Sequence, residues 1–260
     1  MLSADLIRLI GESFADVLPG FDRRRFRRRA IDGLDALEFS QRGRHVGLAI
    51  AEQLPQPFAA ACPVLLASFG PELLQTEGNG LAPFFYLPHA YVITECGLED
   101  FESAMLANYE LTKRFSAEFS IRPFLVKSRD ECLARLSDWT GDPNPHVRRL
   151  VSEGTRPRLP WAMQLKEFQA NPRLTLPLLE RLKDDPELYV RRSVANHLGD
   201  ILKDHPDVGF EVCERWLREV RSKRVTHDKA AARQWIVRHA VRLPAKKGEP
   251  RAVAIRASAK

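Results

Sequence analysis

The sequence predicts an all-α fold, a superhelical solenoid of paired helical repeats. Three observations predict it. The tract DPNPHVRRLVSEG at 142–154 returns as DPELYVRRSVANH at 185–197, a 43-residue period in the range of HEAT-like two-helix units. From Ser128 onward, apolar residues recur at helical spacing in runs of roughly ten to fifteen residues, with short Asp/Pro turns between them. No segment of the chain reads as a strand. Arrays of this kind curve and present a concave surface.

Taken in order, the chain opens on MLSADLIRLIGESF, where Leu2, Leu6, Leu9, Ile10 and Phe14 share one helical face and Pro19-Gly20 ends the helix. In FDRRRFRRRAIDGLDALEF, Asp22 is placed to cap a helix whose first turns carry Arg23, Arg24, Arg25, Arg27, Arg28 and Arg29. Six guanidinium groups at a helix N-terminus repel one another and oppose the helix dipole; a polyanion would offset both penalties, and a solvated basic face is the plain alternative. HVGLAIAEQLP and PFAAACPVLLASFG read as two further short helices, ended by Pro55 and by Gly70-Pro71. From Thr76 to Pro88 the text is loop-like, with Phe84, Phe85 and Tyr86 expected to pack beneath it.

Two helical stretches follow in LEDFESAMLANYELTKRFSAEFSIRPFL. At about 100° per residue, Leu111, Phe115, Glu118 and Arg122 fall on one stripe. A carboxylate on an apolar stripe needs a partner, and Arg122 stands at i+4 to supply one. The pair is either an ion lock between helices or a carboxylate held and aimed at something. Beyond the two repeat copies, Arg233, Trp235 and His239 fit a third, more degenerate one. Residues 244–260, PAKKGEPRAVAIRASAK, lack an apolar face and are expected to form a basic, disordered tail after a repeat domain spanning 1–243.

Composition bounds the function. Apolar residues make up 44% and charged residues 28% of 260 residues, which is globular. The N-terminal helix carries Asp5 and Glu12 and lacks the basic start and unbroken apolar run of a signal peptide, and no run approaches membrane-span length, so a cytoplasmic chain without membrane contact is expected. Cys62, Cys96, Cys132 and Cys213 form no CxxC pair and have no His at zinc spacing, which points to neither a disulfide framework nor a metal site. The formal net charge of +6 favours polyanionic partners, nucleic acid first.

On a helical wheel, Val147, Leu150 and Val151 form the packed side of the first copy, with Arg149 and Glu153 opposite. In the second, Val190, Val194, Leu198 and Ile201 pack, while Arg192, Asn196 and Asp200 point away. The 43-residue mate of Glu153 is Asn196, and Asp200 lies one turn further on nearly the same face. Two carboxylates thus project from successive repeats amid Arg148, Arg149, Arg156, Arg158 and Arg192. Acidic groups weaken phosphate binding, so their presence in a basic surface asks for a reason. Stabilising a cation on the nucleic acid, an alkylated base or the oxocarbenium-like sugar left behind, is such a reason. Trp161 would add cation–π attraction of about 0.5–2 kcal/mol, or is simply a core or turn aromatic after Pro160.

The segments LTKRFSAEFSIRPFL, DPNPHVRRLVSEGTRPRLPW, VRRSVANHLGDILKDHP and ARQWIVRHAVR resemble the AlkC branch of the AlkC/AlkD-type HEAT-repeat DNA glycosylases, and FDRRRFRRRAIDGLDALE and HAYVITECGLEDFE fit the same pattern. The resemblance covers about residues 5–243, and SEGTRPRLPWA is its most specific block. It implies excision of cationic N-alkylated bases, notably 3-methyladenine and 3-methylcytosine, from double-stranded DNA by a monomeric, monofunctional enzyme that needs no cofactor or metal. It further implies a carboxylate cluster of Glu118, Glu153 and Asp200 at the lesion, with Arg149, Arg156 and Trp161 entering or lining the groove. Arg122, Arg148, Arg158 and Arg192 complete the expected DNA-facing set. The chemistry is coherent with this: the base leaves neutral, so a carboxylate need only stabilise the sugar cation and orient water, with Asp200 the first choice. No Lys is expected in the cluster. Some members carry an immunoglobulin-like domain after the solenoid, in place of which Lys246, Lys247, Arg251, Arg256 and Lys260 would make weaker phosphate contacts. A non-catalytic HEAT-repeat scaffold would need the arginines but not the carboxylates.

Overall fold

The computed structural model describes residues 2–222 and 224–259. The chain divides into two compact units, Met1–Lys127 and Ser128–Lys260. Among the described residues there is no strand, and the all-helical repeat fold read from the sequence is the one observed.

The first unit comprises α1 (Ala4–Val17), α2 (Arg23–Ile31), α3 (Phe39–Ala51), α4 (Phe58–Ala67), α5 (Leu87–Cys96), α6 (Phe101–Thr112) and α7 (Arg122–Lys127). Ile7, Ile10 and Phe14 of α1 are fully buried, and the Asp22 carboxylate caps α2 by accepting from the Arg24 and Arg25 amides at 2.9 Å each. These capping bonds hold Asp22 below its ordinary carboxylate range. Helix α5 is not anticipated in the sequence because its apolar residues run round all its faces: Leu87, Ala90, Val92 and Ile93 are all buried. It packs tightly on α3, where a Cβ at Gly47 would sit 2.7 Å from the Pro88 carbonyl oxygen. The expected stripe through Leu111, Phe115, Glu118 and Arg122 is not one helix. Helix α6 ends at Thr112 and α7 begins at Arg122, with Glu118 in the turns between. Within those turns Ser116 donates to Glu118 Oε2 at 2.7 Å.

The second unit comprises α8 (Arg129–Trp139), α9 (Pro145–Gly154), α10 (Lys166–Ala170), α11 (Leu176–Leu182), α12 (Leu188–Asp204), α13 (Pro206–Glu219), α14 (His227–Ala240), α15 (Arg242–Lys246) and α16 (Pro250–Ser258). Its helices pair as α8 with α9, α11 with α12 and α13 with α14, and α12 packs on both α9 and α14. The third copy expected around Arg233 to His239 is therefore α14, the next member of the same row. Val147, Leu150, Val151, Val190, Val194, Leu198 and Ile201 are at most 1% exposed, each contributing about 1.5–3 kcal/mol relative to an exposed side chain.

The signature D-P-x-x-x-V-R has a mechanical meaning. In the first copy, Arg148 Nη1 donates to the carbonyls of Asp142 (2.8 Å) and Pro143 (3.1 Å). In the second, Arg191 Nη1 repeats this with Asp185 (2.9 Å) and Pro186 (2.6 Å). Arg148 also forks onto Asp185, through Nε at 2.6 Å and Nη2 at 3.1 Å, so the turn of one copy is tied to the helix of the other.

The C-terminal segment departs from the expected disordered tail. Pro250–Ser258 forms α16, with Glu249 accepting from the Ala252 amide as its N-cap and with Ala252 and Ile255 buried against α13 and α14. Two buried residues one turn apart are too few to stand out as an apolar face in the sequence. Arg251 is engaged too, forked onto Glu214 at 2.7 and 3.0 Å. Lys260 lies outside the described residues.

Candidate active site

The loop that leaves α9 carries the residues that matter most. Arg156 Nη1 donates to Glu153 Oε1 at 2.8 Å, and its Nε donates to Asp200 Oδ2 at 2.9 Å. One guanidinium thus bridges the carboxylates of two successive repeats, Glu153 on α9 and Asp200 on α12. Ser193, also on α12, donates to Glu153 Oε2 at 2.6 Å, and Arg149 stands 3.5 Å from Oε1. Two residues on, Arg158 forks onto Asp204 at the end of α12, 2.7 Å to each oxygen.

Glu153 does not face solvent as the wheel expects; it is 6% exposed, Asp200 2% and Arg156 9%. They lie between α9 and α12, where a wheel drawn for one helix cannot see the neighbour. Burial pushes the Glu153 carboxyl up, but the charges of Arg149 and Arg156 and the bonds from Ser193 and Arg156 outweigh it and hold it below its ordinary value. Burial likewise opposes the Arg156 charge, and the two carboxylates more than restore it.

Asp200 is the carboxylate of this set with a way out. It lines a cavity of about 410 Å³ together with Arg156, Asn196, Lys203, Arg242 and Lys247. Lys203 Nζ stands 3.4 Å from Asp200 Oδ1, so a lysine does accompany the cluster, contrary to the sequence expectation; it enters because i and i+3 share a helix face.

Trp161 sits at the tip of the same loop, 82% exposed and with φ of 63°, the left-handed region that bulky residues avoid. Below it the loop is tied by Arg156, by Arg158 and by Gln169 Nε2, which donates to the Pro157 carbonyl at 3.1 Å. That exposure excludes a core aromatic; Trp161 does stand in a turn, as the alternative allowed.

Of the other expected residues, Arg149 lies over the Tyr189 ring at 5.0 Å and Arg192 is exposed on α12. Two others are placed differently. Arg122 is fully buried at the start of α7, and Arg148 is engaged by Asp185 and two turn carbonyls, so neither guanidinium is presented to a phosphate. Glu118 belongs to the first unit, half-buried in its turn, and is described there alone. Asp204, Ser193, Tyr189 and Arg242 are site neighbours the sequence reading missed; the 46-residue separation of Arg158 from Asp204 leaves no local pattern to find.

Among the described residues, no three or more His, Cys, Asp or Glu side chains converge as a metal ligand set would. Burial pushes the thiols of Cys132 and Cys213 up to about 12, which makes them inert. No helix among the described residues is long and apolar enough to cross a membrane.

No protein-family model matches the chain. The solved structure of Pseudomonas fluorescens alkylpurine DNA glycosylase AlkC, bound to DNA containing an abasic site analog, superposes with a TM-score of 0.85 at 35% identity over 98% of this chain. This chain is similar to AlkC in sequence and fold. The uncharacterized protein YhaZ of Bacillus subtilis (strain 168) is 33% identical over 255 residues, 98% of this chain. The chain spans 65% of the length of YhaZ and 66% of the AlkC chain, just under two thirds of each. The similarity to AlkC runs through both compact units, so it embraces α9, its loop and α12, where Glu153, Arg156 and Asp200 meet.

Proposed function

We propose that this chain is a DNA glycosylase that releases cationic alkylated bases, 3-methyladenine and 3-methylcytosine among them, from double-stranded DNA. The observation that carries the reading is the Glu153–Arg156–Asp200 bridge opening onto a cavity through Asp200. The resemblance to AlkC, whose solved structure holds DNA with an abasic site analog, supports the same conclusion.

In the reaction the C1′–N bond breaks and its electron pair goes to the base, which departs neutral. The positive charge passes to the sugar as an oxocarbenium-like centre. Asp200 is the carboxylate with access to that centre, and its charge, fixed in place by Arg156, stabilises the cation without reorganising. Water then adds its oxygen to C1′ and loses a proton to solvent or to the carboxylate. Glu153 acts on Arg156, keeping the guanidinium against Asp200. Arg149 and Arg156 line the approach, and Trp161, held out on a tethered loop, contacts the face of the lesion pair or its neighbours. In this reading Lys203 serves as a charge beside Asp200 rather than as a nucleophile, and the enzyme is monofunctional.

The test is to incubate the full chain with methylated duplex DNA and quantify free bases by mass spectrometry. Release of 3-methyladenine and 3-methylcytosine above the uncatalysed background is expected, and no release sinks the reading in favour of a DNA-binding scaffold. Borohydride added during turnover should trap no protein–DNA adduct; a trapped adduct refutes the monofunctional step.

A further inference from the structure

The cavity beside Asp200 contains more positive charge than a cation-stabilising site should want. Arg156 and Lys203 are offset by Glu153 and Asp200, but Arg242 and Lys247 line the same space, and Asp200 is the one carboxylate among its lining residues. An alkylated base or an oxocarbenium sugar would be repelled by that surplus.

Arg242 shows that the surplus is built in. Its Nη1 donates to the His239 carbonyl at 2.7 Å and its Nη2 to Asn196 Oδ1 at 3.0 Å, both neutral acceptors. Among the described residues it makes no ion pair. Asn196 occupies the position that Glu153 holds one repeat earlier, 43 residues back, so the repeat geometry is kept while the countercharge is removed. Burial and the facing charge of Arg156 both work against the Arg242 cation, and Asp200 only partly relieves it. His239, on the adjoining helix, adds no negative charge; burial and the charges of Arg242 and Arg192 hold its pKa down at about 4, so it stays neutral near neutral pH.

We propose that this cavity is a backbone-phosphate subsite: Arg242, with Lys203 and Lys247 at its rim, binds the phosphodiester attached to the lesion sugar while Asp200 faces the C1′ side of that sugar. The inference rests on the glycosylase reading for the identity of the sugar. A deoxyribose cannot approach Asp200 without bringing a phosphodiester with it, and a diester anion makes the surplus positive charge favourable where the base alone would not. The cavity, at about 410 Å³, is roomy enough for a sugar and a phosphate together. The phosphate also explains how a site can hold both signs: carboxylate for the sugar, guanidinium for the diester, fixed on successive repeats. The Asn196 amide then works as a positioning residue, steering the Arg242 fork without neutralising it.

The test uses the full-length chain and a set of duplexes, each with one stable abasic analogue and one phosphate replaced by an uncharged methylphosphonate, moved stepwise along both strands. Binding is measured for the parent, Arg242→Gln, Arg242→Lys and Lys247→Gln. The parent is expected to lose about tenfold in affinity when the neutral linkage adjoins the abasic sugar, as for the loss of one charged hydrogen bond. Arg242→Gln should be weaker than the parent yet insensitive to that one linkage, with Arg242→Lys recovering part of the coupling. Lys247→Gln, at an exposed site where folding is not at risk, should show a smaller coupling to the same linkage. Losses that multiply independently at every position overturn the subsite. So does a uniform loss at all positions accompanied by competition from inorganic phosphate, which would mean that a free anion fills the cavity. Base release by the parent is scored separately: coupling without release keeps the subsite and sinks the glycosylase reading, while release without coupling does the reverse.

Discussion

Replacing Asp200 by Asn separates chemistry from architecture. The side chain is 2% exposed, accepts from Arg156 Nε at 2.9 Å through Oδ2 and stands 3.4 Å from Lys203 through Oδ1. Asn is nearly isosteric, and its Oδ1 still accepts from Arg156, so the bridge persists with one charge fewer. Lys203 is more than half exposed, so its pairing is screened and contributes little. The stability cost is thus that of weakening one charge-assisted hydrogen bond, about 1–3 kcal/mol. The rate cost is larger. A fixed group aimed at charge that develops in the transition state is worth about 2.7–4 kcal/mol, or roughly 10²–10³ in rate. Single-turnover excision of a methylated base should therefore fall by that factor, while affinity for DNA with an abasic analogue is unchanged or improved, because a negative charge near the phosphates has gone. An excision rate within threefold of the parent, with the protein folded and bound, refutes the role given to Asp200.

Other outcomes follow from the same geometry. Arg148→Met should cost about 3–5 kcal/mol in urea unfolding, because it strands buried Asp185 and two turn carbonyls, yet leave the salt dependence of DNA binding unchanged. Trp161→Gly relieves the left-handed backbone and should be neutral or stabilising by about 1 kcal/mol in thermal melts, while weakening lesion binding. Glu153 has a folded pKa below its ordinary 4.5, so its contribution is full above about pH 5 and is lost as pH falls through the lower folded value. The stability gap between the parent and Glu153→Gln should accordingly narrow in acid and not in base. Ile255→Ala, in a segment that the sequence presents as tail, should cost about 2 kcal/mol; no measurable change would mean that α16 does not pack in solution.

The legible parts of this chain are those whose physics is local or periodic. Asn144 and Pro145 start α9, Asp22 caps α2, and the 43-residue return of D-P-x-x-x-V-R-R reflects a turn that closes on its own arginine within six residues. Val147, Leu150, Val190 and Val194 advertise their burial by spacing alone. Helix α5 was hidden because a helix buried on all faces has no amphipathic period to read. Helix α16 was hidden because its two anchors, Ala252 and Ile255, are few and draw their contact area from α13 and α14.

What the sequence by itself determined is the helical repeat, the identity of the carboxylates and arginines, and their rough order along the row. What only the tertiary structure decided is which of them meet. Glu153 and Asp200 are 47 residues apart, and their shared partner Arg156 sits on neither helix; Arg158 finds Asp204 and Arg242 finds Asn196 over similar separations. A wheel gives directions around one axis, whereas the α9–α12 packing turned two apparently solvent-facing carboxylates into buried ones bridged by a single guanidinium. Charge pairing acts through space over a few ångströms, and the distances that set it exist only once the repeats have stacked.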